Sequence, residues 1–195
     1  TSYLYLMVES FAQNGGRSCL NASTIVVPAH AREIADSLAE RLGPVGPRPI
    51  NDESAVLAGF PNPKVAESIN AAIEEGLQTP GAEEVTAKYR EGPRLITLNG
   101  AVYLRPTIVR CDFFAHPLAS REYLFPYASV LEVPVPEMAE SIGPSLVVAA
   151  ITRDERLIEQ LIESSHISRL NIGPLSTMQV AWDQPHEGNL FELLY

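Results

Sequence analysis

Cys19 follows two adjacent glycines, Gly15 and Gly16, and precedes a β-branched run at 23–27. Because glycine adopts backbone angles that other residues avoid, this pair predicts a tight bend that a ligand can approach closely. We expect a thiol beyond such a bend to be exposed at the end of an element. A thiolate is a good nucleophile, so a cysteine presented in this way is a candidate nucleophile.

Spacing alone favours a second interpretation of Cys19, that of a small buried hydrophobic residue. The other cysteine, Cys111, follows a strand-like run without a glycine turn, and we predict a structural role for it. No two of the histidines have metal-ligand spacing and none pairs with a cysteine in that way, so the sequence predicts no metal site. These histidines are His30, His116, His166 and His186.

The composition is that of an ordinary globular chain of 195 residues, long enough for one sizeable domain. A formal net charge of −10 argues against nucleic-acid and anionic-membrane partners, because both need a basic face. The sequence contains no apolar run of the roughly 20 residues that span a bilayer. Two cysteines make a disulfide framework improbable, which favours the cytoplasm.

Hydrophobic periodicity predicts an alternation of helices with apolar strands. The predicted helices are 3–13, a segment between 29 and 43, a segment beginning at 63, 136–142 and 154–163. The predicted strands are 23–27, a hairpin at 95–104, 106–110, 128–133, 146–151 and 170–172. This alternation favours an α/β fold class, with a mostly parallel sheet covered by helices on both faces.

Local signals refine these elements. Asn99-Gly100 between two apolar runs predicts a type I′ turn, and Asp154 is the expected N-cap of the last helix. We expect 43–53 and 79–93 to be loops, because both are rich in proline and glycine. The residues expected to face inward on two helices are Val65, Ile69 and Ile73, then Leu157, Ile158, Leu161 and Ile162.

The residues around the glycine bend also carry a family resemblance. Asn14, Gly16 and Cys19 fall on the Asn, Gly and Cys of the pattern Asn-x-Gly-Gln-x-Cys, and Arg17 stands where that pattern has Gln. The stretch resembles the active-site cysteine motif of the aldehyde dehydrogenase superfamily.

Three later segments are similar to that family as well. The strand 106–109 resembles its Pro-Thr-hydrophobic strand, and 169–173 resembles its late strand, which ends in Asn171. Glu122 and Pro126 match the second Glu and the Pro of the family segment Glu-Glu-x-Phe-Gly-Pro, whose Phe-Gly is replaced here. The family's Gly-Gly-x-Lys segment is not recognisable at 184–189.

The resemblance implies oxidation of an aldehyde. Cys19 would add to the carbonyl to give a thiohemiacetal, and hydride loss to NAD or NADP would leave a thioester that water releases as the acid. Glu122 would contact the nicotinamide ribose hydroxyls, and Asn171 would belong to the substrate pocket. The backbone N–H of Cys19 could stabilise the oxyanion. Arg17 could supply charge to the thiol if it turns inward, or it could face solvent or phosphate.

The resemblance also implies a domain organisation. Residues 1–195 would be a single catalytic domain, a fragment of a larger enzyme whose N-terminal nucleotide-binding domain and general-base Glu lie upstream of Thr1. The expected partners are an aldehyde substrate and that nucleotide-binding domain, with a homo-oligomer in the full-length form. The segment 191–195 could begin an oligomerisation strand, and the loop 172–182 would set specificity.

Two alternatives stay open at this point. A CoA-acylating relative would pass the acyl group to CoA instead of water. A non-catalytic α/β domain would keep the fold for assembly or binding.

Overall fold

The computed structural model describes residues 3–49 and 51–181. Its helices are α1 (Leu4–Ala12), α2 (Ala31–Leu42), α3 (Pro63–Leu77), α4 (Val135–Ile142) and α5 (Glu155–Glu163). Its strands are β1 (Thr24–Val27), β2 (Ala82–Glu84), β3 (Leu95–Leu98), β4 (Ala101–Leu104), β5 (Thr107–Cys111), β6 (Tyr127–Glu132), β7 (Ser145–Ala150) and β8 (Ile167–Ile172). The predicted segments 184–189 and 191–195 lie outside the described residues.

The central sheet has the order β1-β6-β5-β2. Strands β1, β6 and β5 are parallel, with Thr24 opposite Ser129 and Thr107 opposite Tyr127, whereas β2 is antiparallel to β5. Strands β7 and β8 form a separate parallel pair, and β3 and β4 form an antiparallel hairpin. The prediction of an α/β fold with a mostly parallel sheet is confirmed.

Two apolar clusters cover the two faces of the central sheet. On one face, α1 and α2 pack over Val27, Ile108 and Val130. On the other face, α3, α4 and α5 pack with Val109 and Leu131. Because successive side chains of a strand point to opposite faces, the all-apolar stretches of β5 and β6 feed both clusters at once.

Local sequence signals explain several boundaries. Asn62 caps α3 by accepting a hydrogen bond from the backbone N–H of Lys64, and Asp154 caps α5 through the N–H of Leu157, as predicted. Asn99 and Gly100 have φ angles of 51° and 81°, as a type I′ turn requires.

The segment 79–93 differs from its predicted loop because it contains β2 and a short 3₁₀ turn at Thr86–Lys88. The three residues of β2 have no alternation of apolar and polar side chains, so periodicity could not reveal this strand. Tertiary contacts hold it. It pairs with β5, and the buried carboxylate of Glu84 binds the guanidinium groups of Arg90 and Arg94.

Two inward-facing predictions are wrong. Val65 is 42% exposed and Ile162 is 63% exposed. On α3 the buried positions include small residues, Ala66 and Gly76, with Ile73. The helix backbone therefore approaches its neighbours closely, and the larger Val65 faces solvent. Within the described residues, no helix is long and apolar enough to cross a membrane.

Alanine substitution on α3 tests which face of the helix is buried. We expect Ile73→Ala to lower the free energy of unfolding by about 2–4 kcal/mol, because the removed side chain is fully buried and leaves a cavity. The control Val65→Ala, on the same helix, should change it by less than about 0.5 kcal/mol. Urea denaturation measures both, and equal losses would contradict the described packing.

Candidate functional site

The bend after α1 consists of three consecutive residues with left-handed backbone angles. Asn14, Gly15 and Gly16 have φ values of 56°, 67° and 68°. A Cβ at Gly16 would lie 2.4 Å from the carbonyl carbon of Phe125 and 2.5 Å from the nitrogen of Pro126. Gly16 is therefore required for two reasons, its left-handed angle and its close approach to the chain that leads into β6.

Cys19 lies in a hydrogen-bonded turn directly after this bend. The backbone N–H of Asn21 donates to the carbonyl of Ser18 at 3.0 Å, and the side-chain oxygen of Asn21 accepts from the N–H of Ser18 at 2.7 Å. The N–H of Leu20 donates to the Ser18 hydroxyl at 3.2 Å. The turn is thus fixed by its neighbours, while Cys19 itself is exposed.

The backbone amides of this turn differ in whether they donate a hydrogen bond. Those of Ser18, Leu20, Asn21 and Ala22 all donate hydrogen bonds, whereas within the described residues the N–H of Cys19 has no acceptor. An unpaired amide beside an exposed thiol is a donor available to an oxygen atom bound there.

Ser10, near the end of α1, joins this turn to the loop after β8. Its carbonyl accepts from the N–H of Ala22 at 2.9 Å, from the side-chain amide of Asn21 at 3.1 Å and from the Thr177 hydroxyl at 3.3 Å. Its hydroxyl accepts from the N–H of Thr177 at 3.1 Å. These bonds connect the cysteine turn to α1 and to the chain around Thr177.

Arg17 is engaged away from the thiol. Its Nε donates to the carbonyl of Leu124 at 3.3 Å, a terminal nitrogen donates to the carbonyl of Ala58 at 3.0 Å, and its Cζ lies 4.5 Å from the ring centre of Phe60. Partial burial lowers the pKa of this guanidinium from its ordinary value. Within the described residues, its hydrogen bonds brace the glycine bend and none reaches Cys19.

Cys19 and Glu122 line the same groove, which has a volume of about 500 Å³ and extends along β1 and β7. Glu122 also borders a small cleft beside Gly16. Within the described part of the chain Glu122 forms no ion pair. The Nε of neighbouring Arg121 donates to the carbonyl of Pro117. The structure therefore brings the thiol and this carboxylate to one groove.

Asn171 is buried near the end of β8 and does not line the groove. Its side-chain amide donates to the carbonyls of Ser176 at 3.0 Å and Gln179 at 3.3 Å. It shapes the loop that Ser10 binds, and its predicted place in a substrate pocket stays a prediction.

Cys111 is buried, as the sequence predicts. Its Sγ lies 3.9 Å from Nδ1 of His116, but that nitrogen already accepts the N–H of Leu118 at 3.1 Å. The other ring nitrogen, Nε2, lies 3.1 Å from the carbonyl of Thr79, to which it donates. Burial raises the pKa of the Cys111 thiol to about 12, so this pair is not an activated nucleophile.

Sequence reasoning missed Asn21 and Ser10 as supports of the cysteine turn. An asparagine two residues after the cysteine is a turn-forming signal that was available, whereas nothing local marks Ser10. The described residues contain no group of three His, Cys, Asp or Glu side chains that could hold a metal ion.

No family model and no curated protein sequence matches this chain significantly. Solved structures do match it in fold. Lactaldehyde dehydrogenase from Escherichia coli superimposes with a TM-score of 0.78 and 16% identity over 94% of this chain and 38% of its own. Aldehyde dehydrogenase from Bacillus cereus, in complex with NAD⁺, superimposes with a TM-score of 0.76 and 17% identity. The match covers 95% of this chain and 37% of that protein.

A third solved structure, the glyceraldehyde-3-phosphate dehydrogenase of Methanocaldococcus jannaschii complexed with NADP, gives a TM-score of 0.73 and 16% identity over 95% of this chain and 39% of its own. This chain therefore has the fold of part of an aldehyde dehydrogenase, as the motif resemblance leads one to expect. It spans less than two fifths of the length of these three proteins. Identities this low establish the shared fold and leave the activity to be proposed.

Substitution of Gly16 tests the close approach in the bend. We expect Gly16→Ala to lower the free energy of unfolding by about 3 kcal/mol or more, since it adds backbone strain to a clash with Phe125. Gly92→Ala is the control, because Gly92 has a φ of 81° with open space around it. It should cost only about 1 kcal/mol. If urea denaturation gives similar losses of stability for Gly16→Ala and Gly92→Ala, the clash at position 16 is relieved.

Proposed function

We propose that this chain is the catalytic domain of an NAD(P)-dependent aldehyde dehydrogenase, with Cys19 as the nucleophile. One observation carries the proposal: an exposed thiol, in a turn fixed by its neighbours, lies at the edge of a large groove, and its own backbone N–H has no acceptor within the described residues. Asn14 and Gly16 form the bend that presents it. The fold shared with aldehyde dehydrogenases supports the same function.

The arrangement suits addition of a thiolate to a carbonyl. The sulfur of Cys19 forms a bond to the aldehyde carbon, and the carbonyl electron pair moves to oxygen, giving a thiohemiacetal oxyanion. The Cys19 N–H is positioned to donate to that oxygen. Loss of hydride then leaves a thioester on the same sulfur, which water cleaves to the acid.

Glu122 is the residue of this chain best suited to hold the cofactor. Its carboxylate is exposed, has no ion-pair partner within the described residues and borders the groove of Cys19, so it can accept hydrogen bonds from sugar hydroxyls. The nicotinamide, when bound, accepts hydride. We assign the rest of the nucleotide to a separate N-terminal domain of a larger enzyme.

The remaining parts of the proposal concern the whole enzyme. In it, residues 1–195 form one domain that works with the nucleotide-binding domain, in a cytoplasmic homo-oligomer. In this proposal Arg17 and Asn171 stabilise the local structure around the site. Arg17 braces the glycine bend, and Asn171 shapes the loop at 173–179 that is tied to the cysteine turn.

Selective alkylation tests the nucleophile. We expect iodoacetamide at neutral pH to modify Cys19 at least tenfold faster than Cys111, because Cys19 is exposed whereas burial raises the pKa of Cys111 to about 12. Mass spectrometry of peptides from the folded protein measures both rates. Equal reactivity of the two thiols in the folded state would remove the main support for the proposal.

Ester cleavage tests the chemistry without the cofactor. We expect the 195-residue chain to hydrolyse p-nitrophenyl acetate weakly and to produce no NADH from aldehydes with NAD⁺. Cys19→Ser should abolish the cleavage, because a serine hydroxyl is a far weaker nucleophile at neutral pH, and the control Cys111→Ala should retain it. Cleavage that survives in Cys19→Ser would contradict the role of Cys19. Aldehyde-dependent NADH production by this chain would contradict the assignment of nucleotide binding to another domain.

A further inference from the structure

The direction of the Cys19 N–H is set by the carbonyl group of Ser18. The two groups belong to one peptide unit, and in a trans peptide the N–H and the C=O point in opposite directions. The carbonyl of Ser18 accepts a hydrogen bond from the backbone N–H of Asn21 at 3.0 Å, so it points into the turn. The N–H of Cys19 therefore points out of the turn.

Asn21 binds Ser18 twice. Besides the bond from its backbone N–H, its side-chain Oδ1 accepts the N–H of Ser18 at 2.7 Å. Cys19 and Leu20, the two central residues of the turn, lie between these partners. Both polar groups of Ser18 are thereby held by one residue, and the peptide unit that carries the Cys19 N–H is fixed in orientation.

The carboxamide of Asn21 also anchors the turn to the end of α1. Its Nδ2 donates to the carbonyl of Ser10 at 3.1 Å and to the carbonyl of Gln13 at 3.2 Å, and it lies 3.6 Å from the sulfur of Met178. A carboxamide both accepts and donates, whereas a carboxylate of the same size only accepts. Asparagine therefore suits a position that needs an acceptor toward Ser18 and donors toward α1.

The other side-chain bond of the turn does not have this effect. The Ser18 hydroxyl accepts the N–H of Leu20 at 3.2 Å, but both residues belong to the turn itself. In the part of the chain that the structure describes, the carboxamide of Asn21 is thus the side chain that joins Ser18 to α1.

We propose that Asn21 is a positioning residue, whose carboxamide aims the Cys19 N–H at the oxygen of a carbonyl group under attack by the thiolate. Asn21 acts through the backbone of Cys19 and assists the step in which negative charge develops on that oxygen. The inference rests on the proposed function, in which Cys19 adds to a carbonyl carbon.

Two reactions of the same thiol separate this role from a general effect on reactivity. With iodoacetamide, a sulfur–carbon bond forms as the carbon–iodine bond breaks, and no charge develops on oxygen. With p-nitrophenyl acetate, sulfur adds to the carbonyl carbon and the electron pair moves to oxygen. The carbonyl then reforms and expels p-nitrophenolate, and water cleaves the thioester to acetate. The Cys19 N–H assists only the second reaction.

Asn21→Leu tests the role, because leucine has a similar size, adds no charge and lacks both polar groups. We expect kcat for p-nitrophenyl acetate to fall at least about tenfold with KM within about twofold, since the loss falls on the oxyanion. Alkylation of Cys19 by iodoacetamide should stay within about twofold. The control Asn70→Leu removes a 2.9 Å bond from Arg94 on α3 and should leave kcat unchanged. Slow alkylation of Cys111 shows that each variant is folded.

Asn21→Ser gives the same test if Asn21→Leu exposes Cys111 to rapid alkylation, because a hydroxyl is too short to join Ser18 to α1. Three outcomes would overturn the proposal: an unchanged kcat, equal losses in cleavage and alkylation, or loss of the fold in both variants. Any of these, with cleavage still dependent on Cys19, leaves the proposed nucleophile intact. Cleavage that survives Cys19→Ser instead removes the proposed function and this inference with it.

Discussion

The contact between Gly16 and the backbone of Phe125 and Pro126 is the constraint on which the site depends. It allows the end of α1 to press against the chain that enters β6, with no side chain between them. Arg17 reinforces the contact by donating to the carbonyl of Leu124. The cysteine turn follows directly, so its position relative to the sheet is set by backbone contacts instead of flexible side chains.

The two cysteines show how environment separates one thiol chemistry from another. Cys111, at the end of β5, has a histidine within 4 Å, yet the ring lone pair is already used by a backbone amide and burial disfavours the thiolate. Cys19, by contrast, is exposed, and within the part of the chain that the structure describes its own backbone N–H has no acceptor. Accessibility and backbone donors, not proximity to a base, distinguish the candidate nucleophile.

The central sheet borders the same groove as the cysteine turn. The groove that Cys19 and Glu122 border continues between β1 and β7, so the proposed reaction site lies at the β1 edge of the central sheet.

The sequence by itself determined the elements whose signals are local. The glycine pair before Cys19, the Asn99-Gly100 turn and the Asp154 cap act through backbone angles or hydrogen bonds of nearby residues, and the apolar strands needed only periodicity. Tertiary structure alone decided β2, the engagement of Arg17 with Ala58 and Leu124, and the link from Ser10 to the loop after β8. These depend on contacts between residues far apart in the chain, which no local pattern encodes.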